Sequence, residues 1–136
     1  MKKIKLIFCL SSLLCLIFFV ENQTLIAQSI DVLYIPWKVH TVVGLDKKQF
    51  IECSLTHKIT IYQQDTIALI ENEFNQIING ETIGNYEPDI RMICTINKVD
   101  GSKTEFFFDR EKDIYYQGKT YRRNMGIIKL IECYTK

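Results

Sequence analysis

Residues 89–109 read DIRMICTINKVDGSKTEFFFD, and the alternation of apolar and polar residues in this stretch decides the fold. Period-two alternation on both sides of Asp100-Gly101 predicts two antiparallel strands joined by a tight turn. A two-residue loop at Asp100-Gly101 would place Ile96 opposite Glu105, which mixes a core face with a solvent face. A three-residue loop over residues 99–101 avoids this and puts glycine third, where a type I turn plus bulge requires a positive φ. We therefore predict the three-residue loop, with these pairs: Cys94 opposite Phe106, Met92 opposite Phe108 and Thr95 opposite Glu105.

Two helices are expected around this hairpin. Apolar residues from Ile67 to Ile78 fall at helical spacing, with Asp65 as the N-cap and Gly80 as a left-handed C-cap. Residues 81–88 then form a polar connection to the hairpin. Asn124 is expected to cap a second helix, whose apolar face consists of Ile127, Ile128, Ile131 and Tyr134.

Further strands are expected on both sides of the central hairpin. Residues 29–43 are rich in β-forming residues, and Pro36 makes them either an edge strand or two short strands that meet at a bend. Residues 51–61 alternate, which predicts a half-buried strand with His57 on its inner face; a short helical turn over residues 46–52 is the alternative for its first part. Gln117-Gly118 suggests a second, shorter hairpin. This layout predicts an α+β fold, a single antiparallel sheet (meander) with two helices packed on one face.

The composition describes an ordinary globular protein. The chain has 136 residues, of which 47% are hydrophobic and 24% charged, enough for one domain. Its net charge is +1, but without the charged residues of the first 27, 14 basic and 15 acidic residues remain. A near-neutral chain has no general electrostatic reason to bind nucleic acid or an anionic membrane surface. We therefore expect no nucleic-acid partner.

The first 27 residues have the pattern of a secretory signal peptide. Three lysines among the first five residues precede an apolar run over residues 6–20, and Ala27 stands before a possible cleavage site. The apolar run is shorter than the roughly 20 residues that a spanning helix needs. We predict that residues 1–27 are a cleaved signal peptide and that residues 28–136 form a single α+β domain without a stable membrane span. This places the protein in the periplasm, outside the cell or at the cell surface of a bacterium.

Cleavage after Ala27 is directly testable. N-terminal sequencing of the exported protein should give Gln28 as its first residue, because signal peptidases cut after a small residue that follows the apolar run. An intact mass that still contains residues 6–20 would contradict cleavage and indicate an uncleaved anchor.

No catalytic, metal or cofactor motif stands out. Cys53 and His57 could form a nucleophilic pair, but four residues along a strand span about 13 Å, too far for direct proton transfer. A core histidine bonded to a backbone carbonyl is the simpler interpretation. His40, His57 and Cys53 lack the closely spaced ligand pair of zinc sites, and basic residues interrupt the acidic residues of 109–113, which favours a solvated turn. We therefore expect no enzyme and no cofactor; an enzyme with a fast-reacting Cys53 is the remaining alternative.

The cysteine count argues against a fold built on disulfides. Cys9 and Cys15 leave with the signal peptide, so three cysteines remain, and an odd number allows at most one internal bridge. The mature chain is long enough to build a core without disulfides. We expect buried free thiols at Cys53, Cys94 and Cys133.

Residues 115–123, YYQGKTYRR, are the one candidate binding surface. Tyrosine and arginine dominate interface hot spots because they combine a large contact area with polar reach. A turn at Gln117-Gly118 would put about half of these side chains against the sheet, which is the structural alternative. It would pair Tyr116 with Lys119, Tyr115 with Thr120 and Ile114 with Tyr121. We predict the partner-binding residues to be Tyr115, Tyr116, Lys119, Tyr121, Arg122 and Arg123.

Size, compartment and fold class together suit a small exported, non-enzymatic binding protein. By analogy, we expect an inhibitor or immunity-type protein that neutralises a partner protein, a toxin or a protease, in the cell envelope. The alternative is a small-ligand carrier or a cell-surface structural module. A carrier would require a deep apolar cavity lined by Phe106, Phe108 and Ile96. The sequence specifies neither the partner nor the oligomeric state.

Overall fold

A computed structural model describes residues 26–41 and 43–135 of the chain. In these residues the strands form one antiparallel sheet in the order β2-β1-β4-β5-β6-β7-β3. The α+β fold with a single antiparallel sheet is therefore confirmed. The elements are β1 (Ala27–Tyr34), α1 (Lys47–Glu52), β2 (His57–Ile61), α2 (Gln64–Ile78), β3 (Thr82–Gly84), β4 (Ile90–Lys98), β5 (Lys103–Asp109), β6 (Ile114–Tyr116), β7 (Lys119–Tyr121) and α3 (Met125–Glu132).

The predicted signal peptide lies almost wholly outside the described residues. Ala27, its expected last residue, is buried and begins β1 opposite Lys98. Among the described helices, none has the length and apolar content needed to cross a membrane. Cleavage after Ala27 stays a prediction, and it would leave seven of the eight residues of β1 in the mature chain.

The central hairpin has the predicted register. Cys94 pairs with Phe106, Met92 with Phe108 and Thr95 with Glu105, which confirms the three-residue loop. Gly101 has a φ of 82° and donates its backbone N–H to the carbonyl of Lys98. Since a side chain at this φ would be strained, glycine is the residue that lets the loop close in three residues.

The two predicted helices, α2 and α3, lie on the same face of the sheet. The ring of Phe74 in α2 stacks on the ring of Phe106 in β5, with 3.6 Å between their centroids. Asn124 caps α3 as predicted, because its Oδ1 accepts hydrogen bonds from the N–H groups of Gly126 and Ile127. The buried core between sheet and helices includes Ile30, Val32, Ile67, Ile70, Met92, Cys94, Phe108, Ile127, Ile128 and Ile131.

The ends of α2 differ from the prediction. Asp65 lies in the first turn, and the N-cap residue Gln63 makes no side-chain capping hydrogen bond. Gly80 is not left-handed; among the described glycines only Gly101 and Gly118 have positive φ. The helix ends instead at Asn79, whose Nδ2 donates to the carbonyl of Asn75 at 2.8 Å. The same carbonyl accepts the backbone N–H of Asn79 at 3.3 Å, and the N–H of Gly80 donates to the carbonyl of Ile77 at 2.9 Å. Two carbonyls of the last turn are thus satisfied without a left-handed glycine.

The short helix α1 packs on the opposite face of the sheet. Its Phe50 is fully buried against Ile35, Ile90 and Ile93. Asp46 and Gln49 form a reciprocal capping box that starts the helix. The prediction of one strand over residues 51–61 was therefore wrong for its first part, where the alternative helical turn is found.

The structure also corrects three further predictions, which concern Pro36, His57 and residues 81–88. β1 ends at Tyr34, so Pro36 lies beyond the strand, and β1 is an interior strand between β2 and β4. His57 is exposed at the start of β2, beside the ring of Tyr34, and not in the core. The expected connection over residues 81–88 contains β3, which pairs with β7.

The three described cysteines are free but differ in burial. Cys94 is buried, Cys53 is half-buried at the end of α1, and Cys133 is exposed after α3. The expectation of buried thiols is therefore right for Cys94 and wrong for Cys133. Burial raises the pKa of the Cys94 thiol, which makes this residue a small apolar core group.

Candidate partner-binding site

The second hairpin forms as predicted. Tyr116 pairs with Lys119, Tyr115 with Thr120, and Ile114 with Tyr121. Gln117 and Gly118 have φ values of 48° and 78°. Two successive positive φ values are typical of a type I′ turn, whose twist matches the flanking strands. Neighbouring side chains of this hairpin therefore point to opposite faces of the sheet.

This alternation separates the residues that the sequence grouped as one binding surface. Tyr121 is 5% exposed and belongs to the core under the helices. Tyr116 is half-buried on the same face, with its ring 4.6 Å from that of Phe106. Tyr115 is half-buried on the opposite face, beside Phe107. Tyr121 is therefore a core residue, and only part of the predicted set can meet a partner without unfolding.

The charged members of the predicted set lie elsewhere. Lys119 is exposed next to the turn of the hairpin. Arg122 and Arg123 are exposed and line a groove of about 290 Å³. Two acidic residues, Glu111 and Asp113, line the same groove, and Asp113 accepts a hydrogen bond from the backbone N–H of Arg123 at 2.9 Å. The carboxylates partly offset the two arginines, so this groove carries no strong net charge.

A second recess, which we call the aromatic cleft, lies between the start of α1, residues 87–90 and strands β5 and β6. Its volume is about 250 Å³, and its apolar surface comes from two aromatic rings, a proline and an isoleucine, with charged residues beside them. The lining residues are Asp46, Lys47, Glu87, Pro88, Ile90, Phe107 and Tyr115. Tyr115 is the only member of the predicted set among them.

Strand register brings the two rings of the aromatic cleft together. Phe107 pairs with Tyr115 across β5 and β6, so both side chains leave the same face of the sheet. Their ring centroids are 6.3 Å apart, and the ring planes meet at 60°. This tilted arrangement is favourable for aromatic pairs, and both residues line the recess.

An ionic network around the buried Arg91 holds the loop before α1 against β4. The guanidinium of Arg91 is 3% exposed and donates to Thr41 Oγ1 at 2.6 Å and to Asp89 Oδ2 at 3.2 Å. Arg110 approaches the same carboxylate at 3.4 Å, and Asp89 Oδ1 accepts the N–H of Leu45 at 2.9 Å. Because Leu45 immediately precedes Asp46, this network fixes the position of one wall of the aromatic cleft.

The cleft is acidic on balance. Lys47 forms an ion pair with Glu105, and its Nζ lies 5.5 Å from the centroid of the Phe107 ring. Asp46 and Glu87 form no ion pair with any described residue. Among the residues that line the cleft, two carboxylates and one ammonium leave an excess of one negative charge, and the ammonium of Lys47 is already paired with Glu105.

The acidic turn at residues 109–113 is less solvated than predicted. Asp109 is 6% exposed and accepts hydrogen bonds from the N–H of Asp113 and from the hydroxyl of Tyr86. Desolvation is the largest cause that raises the pKa of Asp109, and the nearby Asp113 carboxylate raises it further. Desolvation and these two carboxylates raise the pKa of Tyr86 to about 12. The expectation of a solvated turn is therefore wrong for Asp109.

Asp109→Asn should change how stability depends on pH. The folded-state pKa of Asp109 is above 3.8, so its contribution to stability is complete below that pH and is lost as pH rises through the raised folded pKa. Asparagine does not titrate, and its amide can still pair with Asp113 and Tyr86. We expect the variant to lie within about 1 kcal/mol of the wild type at pH 7 and to become less stable relative to it as pH falls toward 4.

Urea unfolding at pH 7, 5 and 4 measures this difference. Glu81→Gln removes an exposed carboxylate and serves as the control. A constant difference between Asp109→Asn and wild type over this pH range would contradict the burial effect.

A polar cluster around Asp31 covers another part of the sheet face on which the aromatic cleft lies. Asp31 accepts hydrogen bonds from Thr60 at 2.6 Å and from Asn97 at 3.2 Å, and Lys58 lies 3.6 Å away. Partial burial would raise the pKa of Asp31, but these hydrogen bonds and the positive charge outweigh it and lower the pKa. The cluster is satisfied internally, so it has less to offer a partner than the aromatic cleft.

The geometry of the possible catalytic and metal ligands does not match a reactive site. Cys53 lies in the turn after α1 and His57 is exposed on β2, so the two do not share a strand face as the sequence suggested. In the described part of the chain, no group of three or more His, Cys, Asp or Glu side chains could hold a metal ion.

Most residues of the aromatic cleft were missed by sequence reasoning. They come from three separate segments, around Asp46, Pro88 and Phe107, and are neighbours only in the folded chain. One local indication was available, because Phe107 is a large aromatic residue at a position of β5 that the alternation assigns to the solvent face.

Comparison of the chain with known protein families, with curated proteins and with solved structures finds no match.

Proposed function

We propose that this chain is a small exported, non-enzymatic binding protein that neutralises a partner protein, a toxin or a protease, in the cell envelope. The observation that carries the proposal is the aromatic cleft, which presents Tyr115 and Phe107 half-buried beside two carboxylates that form no ion pair with a described residue. Anchors of this kind, aromatic and set in a preformed recess, contribute most of the binding energy at many protein interfaces. The fixed loop before α1 supports the proposal, because a rigid recess loses little entropy on binding.

The packing under the helices favours protein binding over the carrier alternative. Phe106 lies between the rings of Phe74 and Tyr116, and Phe108 is fully buried. A recess at the edge of this layer, lined in part by Ile96 and Phe106, has a volume of about 130 Å³. Sites for small ligands usually have roughly 300–1,000 Å³. Between the sheet and the helices α2 and α3, side chains fill the space that a carrier would need.

The compartment also supports the proposal. The pattern of the first 27 residues predicts export, and toxins and proteases are proteins that an exported inhibitor can meet there. A near-neutral chain without general attraction to nucleic acid or anionic lipid suits a specific protein contact.

Affinity capture of the tagged full chain from the cell envelope of the producing bacterium tests the proposal. We expect one protein to be recovered in fixed proportion to wild type and in much smaller amount with Tyr115→Ala. Recovery of no protein partner would contradict the proposal. A small apolar molecule that stays bound in native mass spectrometry would instead favour the carrier alternative.

A further inference from the structure

The aromatic cleft combines the two kinds of group that recognise a cation. The rings of Phe107 and Tyr115 form a corner, and the carboxylates of Asp46 and Glu87 line the same recess. Ring faces attract cations through their quadrupole, and carboxylates accept charge-assisted hydrogen bonds from guanidinium and ammonium groups. An anionic side chain would meet like charge at this position, and a purely apolar one would leave both carboxylates without an ion pair.

The protein itself already places a cation against this surface. The ammonium of Lys47 lies 5.5 Å from the ring centroid of Phe107 and is bonded to Glu105. Lys47 is half exposed on its side chain, so it can move away at small cost. Its position identifies the Phe107 ring together with a carboxylate as a site that a positive charge prefers.

The size of the recess favours a single side chain. A volume of about 250 Å³ is below the range that is usual for whole small ligands, roughly 300–1,000 Å³. A long, flat or linear side chain can enter such a recess while the rest of the partner stays on the surrounding surface. Arginine fits best chemically, because its planar guanidinium stacks on rings and pairs with carboxylates at the same time.

We propose that the aromatic cleft binds a cationic side chain, arginine before lysine, that the partner protein presents. This inference rests on the proposed function and specifies its chemistry. Tyr115 supplies a ring face, Glu87 and Asp46 supply negative charge, and Lys47 competes with the incoming cation until it is displaced.

A minimal ligand tests the cleft without the partner. N-acetyl-arginine amide is titrated into the full mature chain at low ionic strength, and NMR follows the rings of Phe107 and Tyr115 and the methyl groups of Ile90. We expect a dissociation constant on the order of millimolar and about tenfold weaker binding of N-acetyl-citrulline amide, which has a similar shape but no charge. N-acetyl-glutamate amide should not shift these resonances.

Three variants assign the effect to residues. Glu87→Gln should weaken binding of the arginine probe about fourfold, whereas Glu81→Gln, the same charge change outside the cleft, should leave it unchanged. Lys47→Met should strengthen binding about fourfold, because it removes the competing cation and frees Glu105. Thermal unfolding of each variant verifies that the fold is intact.

The outcomes separate this inference from the proposed function. Equal binding of the arginine and citrulline probes, or equal effects of Glu87→Gln and Glu81→Gln, would overturn the cation site. Capture of a partner protein with undiminished strength by Glu87→Gln would also overturn it, while protein binding would stand. Selective binding of the arginine probe without any captured partner would support the cation site and contradict the proposed function.

Discussion

Replacing Phe74 with alanine should lower the free energy of unfolding by about 4 kcal/mol, the largest loss expected from a single substitution in the helix-facing core. Phe74 is buried, its ring stacks on Phe106, and it also contacts Phe108 with 6.1 Å between ring centroids. Alanine would remove the aromatic pair and leave a cavity at the centre of the contact between α2 and the sheet. Urea unfolding, analysed with a common m-value, measures the loss.

Leu69→Ala is the matched control for Phe74. Leu69 lies on the exposed side of the same helix, so the substitution should change stability by less than about 0.5 kcal/mol. A loss below about 1 kcal/mol for Phe74→Ala would be too small for a buried aromatic residue and would contradict the packing described here.

Tyr115→Ala should weaken capture of the partner protein about thirtyfold, equivalent to about 2 kcal/mol. The substitution removes the ring that the aromatic cleft presents, while the buried core on the other face keeps its contacts. Tyr121→Ala should do the opposite, lowering stability by about 3 kcal/mol because Tyr121 is buried under the helices. Melting temperature and partner capture, measured on the same preparations, separate the two effects.

Arg122→Ala is the control from the same hairpin segment. Arg122 lines the groove with Glu111 and Asp113 rather than the aromatic cleft, so we expect a much smaller effect on capture than from Tyr115→Ala. Undiminished capture by well-folded Tyr115→Ala would remove this hairpin from the functional proposal and leave it a structural role only.

The sequence was most informative where local pattern and tertiary structure agree. The central hairpin was predicted down to its register, because strict alternation and one glycine leave a single consistent pairing. The second hairpin was predicted from its turn residues, and the apolar faces of α2 and α3 were predicted from helical spacing. Strand β3 was missed because three residues are too few to show a period, and its pairing with β7 depends on chain segments far apart in sequence.

The candidate site was only partly predictable. The aromatic enrichment of residues 115–123 drew attention to Tyr115, but alternation along the strand buries Tyr121 and turns Tyr116 to the helical face. One wall of the aromatic cleft, Asp46 and Lys47, lies at the start of α1, which the sequence offered only as an alternative to a strand. The position of α1 depends on Phe50 packing against the opposite face of the sheet, a tertiary contact that local periodicity does not predict.

Site-specific photo-crosslinking tests most directly whether the aromatic cleft meets a partner protein. The photoreactive residue p-benzoyl-phenylalanine replaces Tyr115 in the full chain, expressed in the bacterium that produces it. Tyr62, 69% exposed between β2 and α2, is the matched control. We expect one discrete protein adduct from position 115 and none from position 62. No adduct at position 115 of a well-folded chain, or the same adducts from both positions, would contradict a partner-binding role for the cleft.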